Sequence, residues 1–170
     1  MTLFRETGVV EDPWQKLDDD APVPADGMVL VSFARWREAR AALLARRGPV
    51  GVALGNTDPV ETLASDASRL DLIALHFPKF SDGRAYSQAR LLRERLGYQG
   101  ELRATGNVLQ DQALFMLRCG FDSFESEQKG YGEALARART LFSVVYQPTE
   151  DGRAPASRLR LNLRNVRVAV

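Results

Sequence analysis

The sequence predicts an α/β protein of five sequential βα units on a parallel sheet, arranged as a partial TIM-type barrel. Three observations carry this. Five short apolar runs, bounded by turn residues, alternate with segments of helical period. The connections are short, as crossovers that bring each strand back beside the last require. The composition, 170 residues with 45% apolar and 26% charged types, is that of one globular domain. A flavodoxin-like open sheet with helices on both faces is the alternative. The curved, sequential arrangement is preferred because charged residues at the strand ends come from consecutive strands, as in barrel sites. Five units leave open sheet edges, which favours a homodimer.

The chain divides into a lead-in over 1–27, a βα domain over 28–147 and a basic tail over 148–170. In the lead-in, Leu3-Phe4-Arg5 and Val9-Val10 are short strand candidates around Gly8, and Asp18-Asp19-Asp20, Pro22, Pro24 and Gly27 read as loop. Met28-Val29-Leu30-Val31 is the first buried strand, and Ser32 caps a helix over 33–46 that stops near Gly48-Pro49. Val50 to Leu54 is the second strand. Asp58-Pro59-Val60-Glu61 then has the capping order of a helix start. Leu70 to Phe77 is the third strand and the most hydrophobic. It is followed by a helix over 83–96 with Ala85, Ala89, Leu92 and Leu96 on one face and Gly97 at its end. Glu101 to Thr105 is the fourth strand, after which Asn107 caps a helix apolar on more than one side. Phe121 to Glu125 is the fifth, before a helix over 130–142 with Leu135, Leu141 and Phe142 on its inner face.

Composition removes many kinds of chemistry. No apolar run approaches the roughly 18–20 residues of a membrane span, and no leader is visible, so a cytoplasmic location is expected. One cysteine, Cys119, and one histidine, His76, exclude an internal disulfide, a four-cysteine cluster and a multi-histidine metal centre. The net charge of +1 gives no push toward nucleic acid. It conceals a split: five arginines and no acid lie in 152–170, and 18 basic against 22 acidic residues in 1–151 give that part −4. Nucleotide and phosphate loops, metalloprotease, dithiol and nucleophile-elbow motifs are absent, so an ordinary dinucleotide site is not expected. The residues name no cofactor.

Ligands of parallel sheets bind at the carboxyl ends of the strands. The third strand ends in His76-Phe77-Pro78-Lys79-Phe80-Ser81-Asp82-Gly83-Arg84, the fourth carries Arg103 and ends at Asn107, and the fifth ends at Glu125. His76 and Glu125 are the expected acid–base residues, since imidazole and carboxylate are the common proton-transfer groups. Lys79, Asp82, Arg84, Arg103, Asn107 and Gln112 are the expected binding residues for a small anion. Each has a structural counterpart. His76 can be a hydrogen-bonded core histidine, and Lys79, Asp82 and Arg84 a solvated loop. Arg103, inside a buried sheet, needs a partner and can be scaffold paired with Glu101 or Glu125. Cys119 reads as a small apolar side chain. In the tail, Leu159, Leu161 and Leu163 alternate with polar residues, and Val166, Val168 and Val170 continue after a phase slip, a strand pattern able to pair with a sheet edge.

The stretch Phe77-Pro78-Lys79-Phe80-Ser81-Asp82-Gly83-Arg84-Ala85-Tyr86-Ser87, with Ala89-Arg90-Leu91-Leu92-Arg93, Gly97-Tyr98, Gly100 to Leu109, Asp111-Gln112 and Arg118-Cys119-Gly120-Phe121, resembles the bacterial DUF934 family. The likeness covers roughly 28–147 and is densest over 76–124. Members are described as uncharacterised, or as oxidoreductases of sulfite reduction whose genes lie beside that of the sulfite reductase haemoprotein. The resemblance therefore implies an accessory or redox role in assimilatory sulfite reduction, with that haemoprotein as partner. A barrel-type enzyme acting on a small anion and a dimeric scaffold without catalysis are the alternatives. No redox motif in the chain supports the oxidoreductase description.

Overall fold

The computed structural model describes residues 1–138, 140–150 and 152–160. One eight-stranded sheet organises them. Its strands are β1 (Thr2–Arg5), β2 (Gly8–Val10), β3 (Trp14–Lys16), β4 (Met28–Ser32), β5 (Val50–Leu54), β6 (Leu72–Phe77), β7 (Glu101–Gly106) and β8 (Ser123–Ser126). The spatial order is β2-β1-β8-β7-β6-β5-β4-β3, with β3 to β8 parallel and β1 antiparallel to both of its neighbours. The sheet curls into a half-barrel. Because β4 to β8 follow one another without a reversal of direction, there is no switch point of the doubly wound kind, and the flavodoxin-like alternative does not hold.

Sequential crossovers place the helices on one face. That outer face holds the main core. Val29, Val31, Val52, Leu54, Ile73, Leu75, Phe77, Leu102, Ala104 and Phe124 pack there against Trp36, Leu43, Ala89, Leu92, Met116 and Leu135. The inner face holds a separate small cluster of Trp14, Leu30, Leu72 and Ala74. The lead-in contributes three strands to the same sheet, one of them, β3, in a stretch given no strand from the sequence.

The crossovers depart from five regular helices. The first is α1 (Phe33–Ala45), capped by Ser32, whose hydroxyl accepts from the Arg35 N–H at 3.1 Å. The second contains no α-helix. The Asp58 carboxylate turns back to accept the Gly55 N–H at 2.7 Å, so it closes a tight turn and does not cap a helix, and two 3-10 turns follow at Val60–Leu63 and Ala67–Arg69. The third is α2 (Arg84–Arg90), running into a π turn over Leu91–Arg95. The fourth starts later than expected. The Asn107 N–H bonds to the Phe77 carbonyl at 2.7 Å, and the Gln112 side chain, which accepts from Leu109 N–H at 3.3 Å, leads into α3 (Ala113–Arg118). The last is α4 (Tyr131–Ala138), and by Thr140, whose N–H and hydroxyl both bond to the Arg137 carbonyl, the chain is in a turn, short of the expected 142. Leu141 and Phe142, expected on its inner face, are exposed.

Among the described residues no helix is long and apolar enough to cross a membrane. The expected tail strand is not found where the structure describes it. Residues 156–160 are helical, with Ala156 N–H bonded to the Val145 carbonyl at 2.8 Å, and 161–170 lie outside the described residues.

Candidate functional site

The strand registers stack the inward side chains in layers. Leu30, Gly51, Leu72 and Glu101 are cross-strand neighbours in one layer, and Ser32, Ala53, Ala74, Arg103 and Ser123 form the next. His76 and Thr105 are paired above them, at the carboxyl ends of β6 and β7. The lower layer is filled by Trp14, and the upper one opens into a cavity of about 330 Å³. Its walls include Lys16, Leu30, Ser32, Ala53, Ala74, His76, Thr105, Gly106 and Glu125. The walls are mostly apolar with a few convergent polar groups, the usual composition of a small-molecule site.

His76 is held at the mouth by its neighbours. Its Nδ1 lies 3.4 Å from the Thr105 hydroxyl, which also reaches the Leu75 carbonyl at 3.3 Å. The direction of the Thr105–His76 contact follows the ring tautomer, so the hydroxyl can serve either form of the imidazole. Gly106, at φ +86°, leaves room for the ring, since a Cβ there would sit 2.6 Å from His76 Cε1 and 2.5 Å from the Phe77 carbonyl oxygen.

Below the cavity the charges are matched. Arg103 is fully buried and pairs with Asp12 at 2.8 Å, Glu101 at 3.0 Å and Glu125 at 3.3 Å. The second Glu125 oxygen takes Lys16 at 2.9 Å, and Glu101 also binds Arg5 and the Ser123 hydroxyl. Three cations thus face three carboxylates. Burial opposes the Arg103 charge, but the hydrogen bond to Asp12 and the field of Glu101 raise its pKa above the ordinary value. Lys16 and Asp12 reach this cluster from the β3 side, although four strands separate β3 from β8 in the sheet. The ion pairs therefore span the hollow of the half-barrel.

The expected residues divide accordingly. His76 and Glu125 share the cavity, and Arg103 lies next to Glu125 with its donors held by carboxylates. Lys79, Asp82, Arg84, Asn107 and Gln112 are not among the cavity walls. Arg84 forks onto Asp82, by Nε at 3.0 Å and Nη2 at 2.6 Å, and Asn56 donates to the same carboxylate at 2.6 Å. The hydrogen bonds from Arg84 hold the Asp82 carboxyl down at about 2. Gln112 donates to the Phe80 carbonyl at 3.2 Å and so fixes the loop after β6. Burial pushes the Cys119 thiol up to about 11, which keeps it protonated at neutral pH, in line with a packing role.

Sequence reasoning missed Lys16, Asp12, Thr105, Ser32 and Gly106 as site residues. Thr105 stands beside His76 only once the β6–β7 register is known, and Lys16 belongs to a strand without a hydrophobic pattern.

A family model described as bacterial protein of unknown function (DUF934) matches residues 51–157. No curated protein matches the chain. The match begins later and runs further than the expected 28–147. Its C-terminal part packs onto the body, where Glu150 N–H bonds to the Arg118 carbonyl and Arg118 donates to the Gln147 carbonyl at 2.6 Å.

Proposed function

Because the chain belongs to the DUF934 family of bacterial proteins of unknown function, its role rests on its own residues, and we propose that it serves assimilatory sulfite reduction through a partial-barrel site for an anionic small molecule. The resemblance supports the setting, with the sulfite reductase haemoprotein as working partner. One observation carries the site: His76, Thr105, Lys16, Ser32 and Glu125 meet in one cavity at the carboxyl ends of the parallel strands. His76 is the proton-transfer group. The Lys16 ammonium faces the anionic head, and the alanine and leucine walls take an apolar body. Arg103 acts by fixing Glu125 and not as an anion clamp. With one cysteine, the chain has no dithiol of its own, so a role in delivering electrons to the haemoprotein requires a bound carrier.

Growth of a deletion strain tests this reading. Loss of the gene is expected to slow growth on sulfate or sulfite but not on cysteine. Wild-type protein restores growth, and a folded His76→Gln variant does not. Undiminished growth of the deletion strain on sulfate overturns the setting, and full rescue by His76→Gln overturns the site.

A dimeric scaffold is the second reading. It is favoured by the exposed apolar side chains Leu141, Phe142, Val144 and Tyr146 beyond α4.

A further inference from the structure

We propose that the cavity takes an organic anion with a ring-sized apolar body, and that the anion enters together with a proton carried by His76. This rests on the cavity as the functional site and names the ligand class it holds. Size comes first. A dry cavity of about 150 Å³ takes a benzene ring, and this one, at about 330 Å³, offers about twice that space. A bare oxyanion such as sulfite would leave most of it to water. The apolar walls suit a body with little polarity. Ala53 and Ala74 are register partners on β5 and β6, and Leu17 and Leu30 line the β3–β4 side. An apolar body set there leaves water, while its head group meets the polar walls at Lys16, His76 and Thr105.

Charge supplies the second half. The cations that line the cavity already face carboxylates. Lys16 bonds Glu125 at 2.9 Å, and the Met1 amino group lies 3.8 Å from Glu127. Arg103, next to Glu125, is held by Asp12, Glu101 and Glu125. Glu125 is itself a cavity wall, so its charge opposes an anion brought beside Lys16. Asp19, which accepts from the Ser32 hydroxyl at 2.5 Å, adds a negative group from the lead-in. Lys79, Asp82 and Arg84, on the loop after β6, are not cavity walls. An anion in this space therefore needs a further positive charge. His76 supplies it, because imidazole takes up a proton between about pH 8 and pH 5. Thr105 and Gly106, which face the ring from β7, carry no charge. In the charged ring both nitrogens donate, and the Thr105 hydroxyl, 3.4 Å from Nδ1, accepts from one of them. The other donates to the head group. The anion in turn favours the charged ring, so affinity rises as pH falls.

Binding of benzenesulfonate to the full chain tests this, since a sulfonate stays anionic throughout that range. Benzenesulfonamide is its neutral counterpart, and methanesulfonate carries the head without the ring. Calorimetry gives affinities at about pH 5.5 and about pH 7.5. The Hε1 resonance of His76, the one histidine of the chain, reports the proton. Benzenesulfonate is expected to bind about tenfold more tightly at the lower pH, with the His76 titration midpoint raised by about one unit in the complex. Methanesulfonate should bind at least about tenfold more weakly, because the burial of the ring is lost. Benzenesulfonamide should bind without pH dependence. His76→Gln should bind benzenesulfonate equally at both pH values, and Ala53→Leu should not bind it. Equal affinity of the wild type at both pH values overturns the proton coupling, as does a pH dependence retained in His76→Gln. Methanesulfonate binding as tightly as benzenesulfonate overturns the ring-sized body. Binding retained by Ala53→Leu puts the anion outside the cavity and overturns the proposal. The three probes on wild-type protein keep the test decisive should a variant fail to fold. Absence of sulfonate binding overturns the ligand class, while growth of the deletion strain judges the setting separately.

Discussion

Gly106 decides where the His76 ring stands. At φ +86° an L side chain is disfavoured by about 1–2 kcal/mol before any contact is counted. The added Cβ would also press on the imidazole and on the Phe77 carbonyl, which is backbone and cannot swing aside. Gly106→Ala is therefore expected to destabilise the protein by about 2–3 kcal/mol in urea unfolding. It should also move the Hε1 resonance of the one histidine, which gives an unambiguous NMR signal. An alanine variant of wild-type stability with an unmoved resonance would show that the ring does not depend on this glycine. The contact was not legible in Thr105-Gly106-Asn107, where the glycine reads only as a turn. The crowding arises from a residue 30 positions away.

At the level of elements, β7 and β8 owe their inner face to a charge cluster where their outer face is apolar. Removing Arg103, the buried cation of this cluster, takes an ion pair from each of three carboxylates and leaves Glu125 with Lys16, Glu101 with Arg5 and Ser123, and Asp12 without its cation. Breaking such a group by deleting one partner costs about 3–5 kcal/mol, whereas exposed pairs contribute little. Arg103→Met is thus expected to lose about that much stability in urea unfolding, while Arg84→Ala, on the exposed loop pair, changes it by less than about 1 kcal/mol. Similar losses from both would show that burial does not separate the two pairs. The sequence reading placed all five parallel strands of β4 to β8, because apolar runs between turn residues are a local signal. It also saw that Arg103 would need Glu101 or Glu125. It missed β3, whose Trp14-Gln15-Lys16 is held by pairing with β4 and by ion pairs across the hollow. It expected a helix to start at Asp58-Pro59-Val60-Glu61 from the capping order, but the capping choice of Asp58 depends on the approach of Gly55, and Val60, Leu63 and Ala67 reach the core in 3-10 turns.

Across the whole molecule, the half-barrel is closed at one end and open at the other, and β5 samples both. Gly51 and Ala53 point to the same inner side of one strand, two residues apart. At Gly51 an added Cβ would meet Leu72 Cβ at 3.0 Å and Leu30 and Trp14 at 3.1 Å, so this end is packed to its limit by the tryptophan. At Ala53 the side chain borders the open cavity. The two positions should therefore separate folding from function. Gly51→Ala over-packs a filled layer and is expected to cost about 1–3 kcal/mol in urea unfolding, while the protein that remains folded still restores growth on sulfate. Ala53→Leu extends into empty space, so its stability should stay within about 1 kcal/mol of wild type, but the ligand volume is lost and growth on sulfate is not restored. Full rescue by Ala53→Leu would remove the cavity from the function even if His76 proved necessary. The acid–base group would then act on something docked at the mouth of the half-barrel and not held inside it.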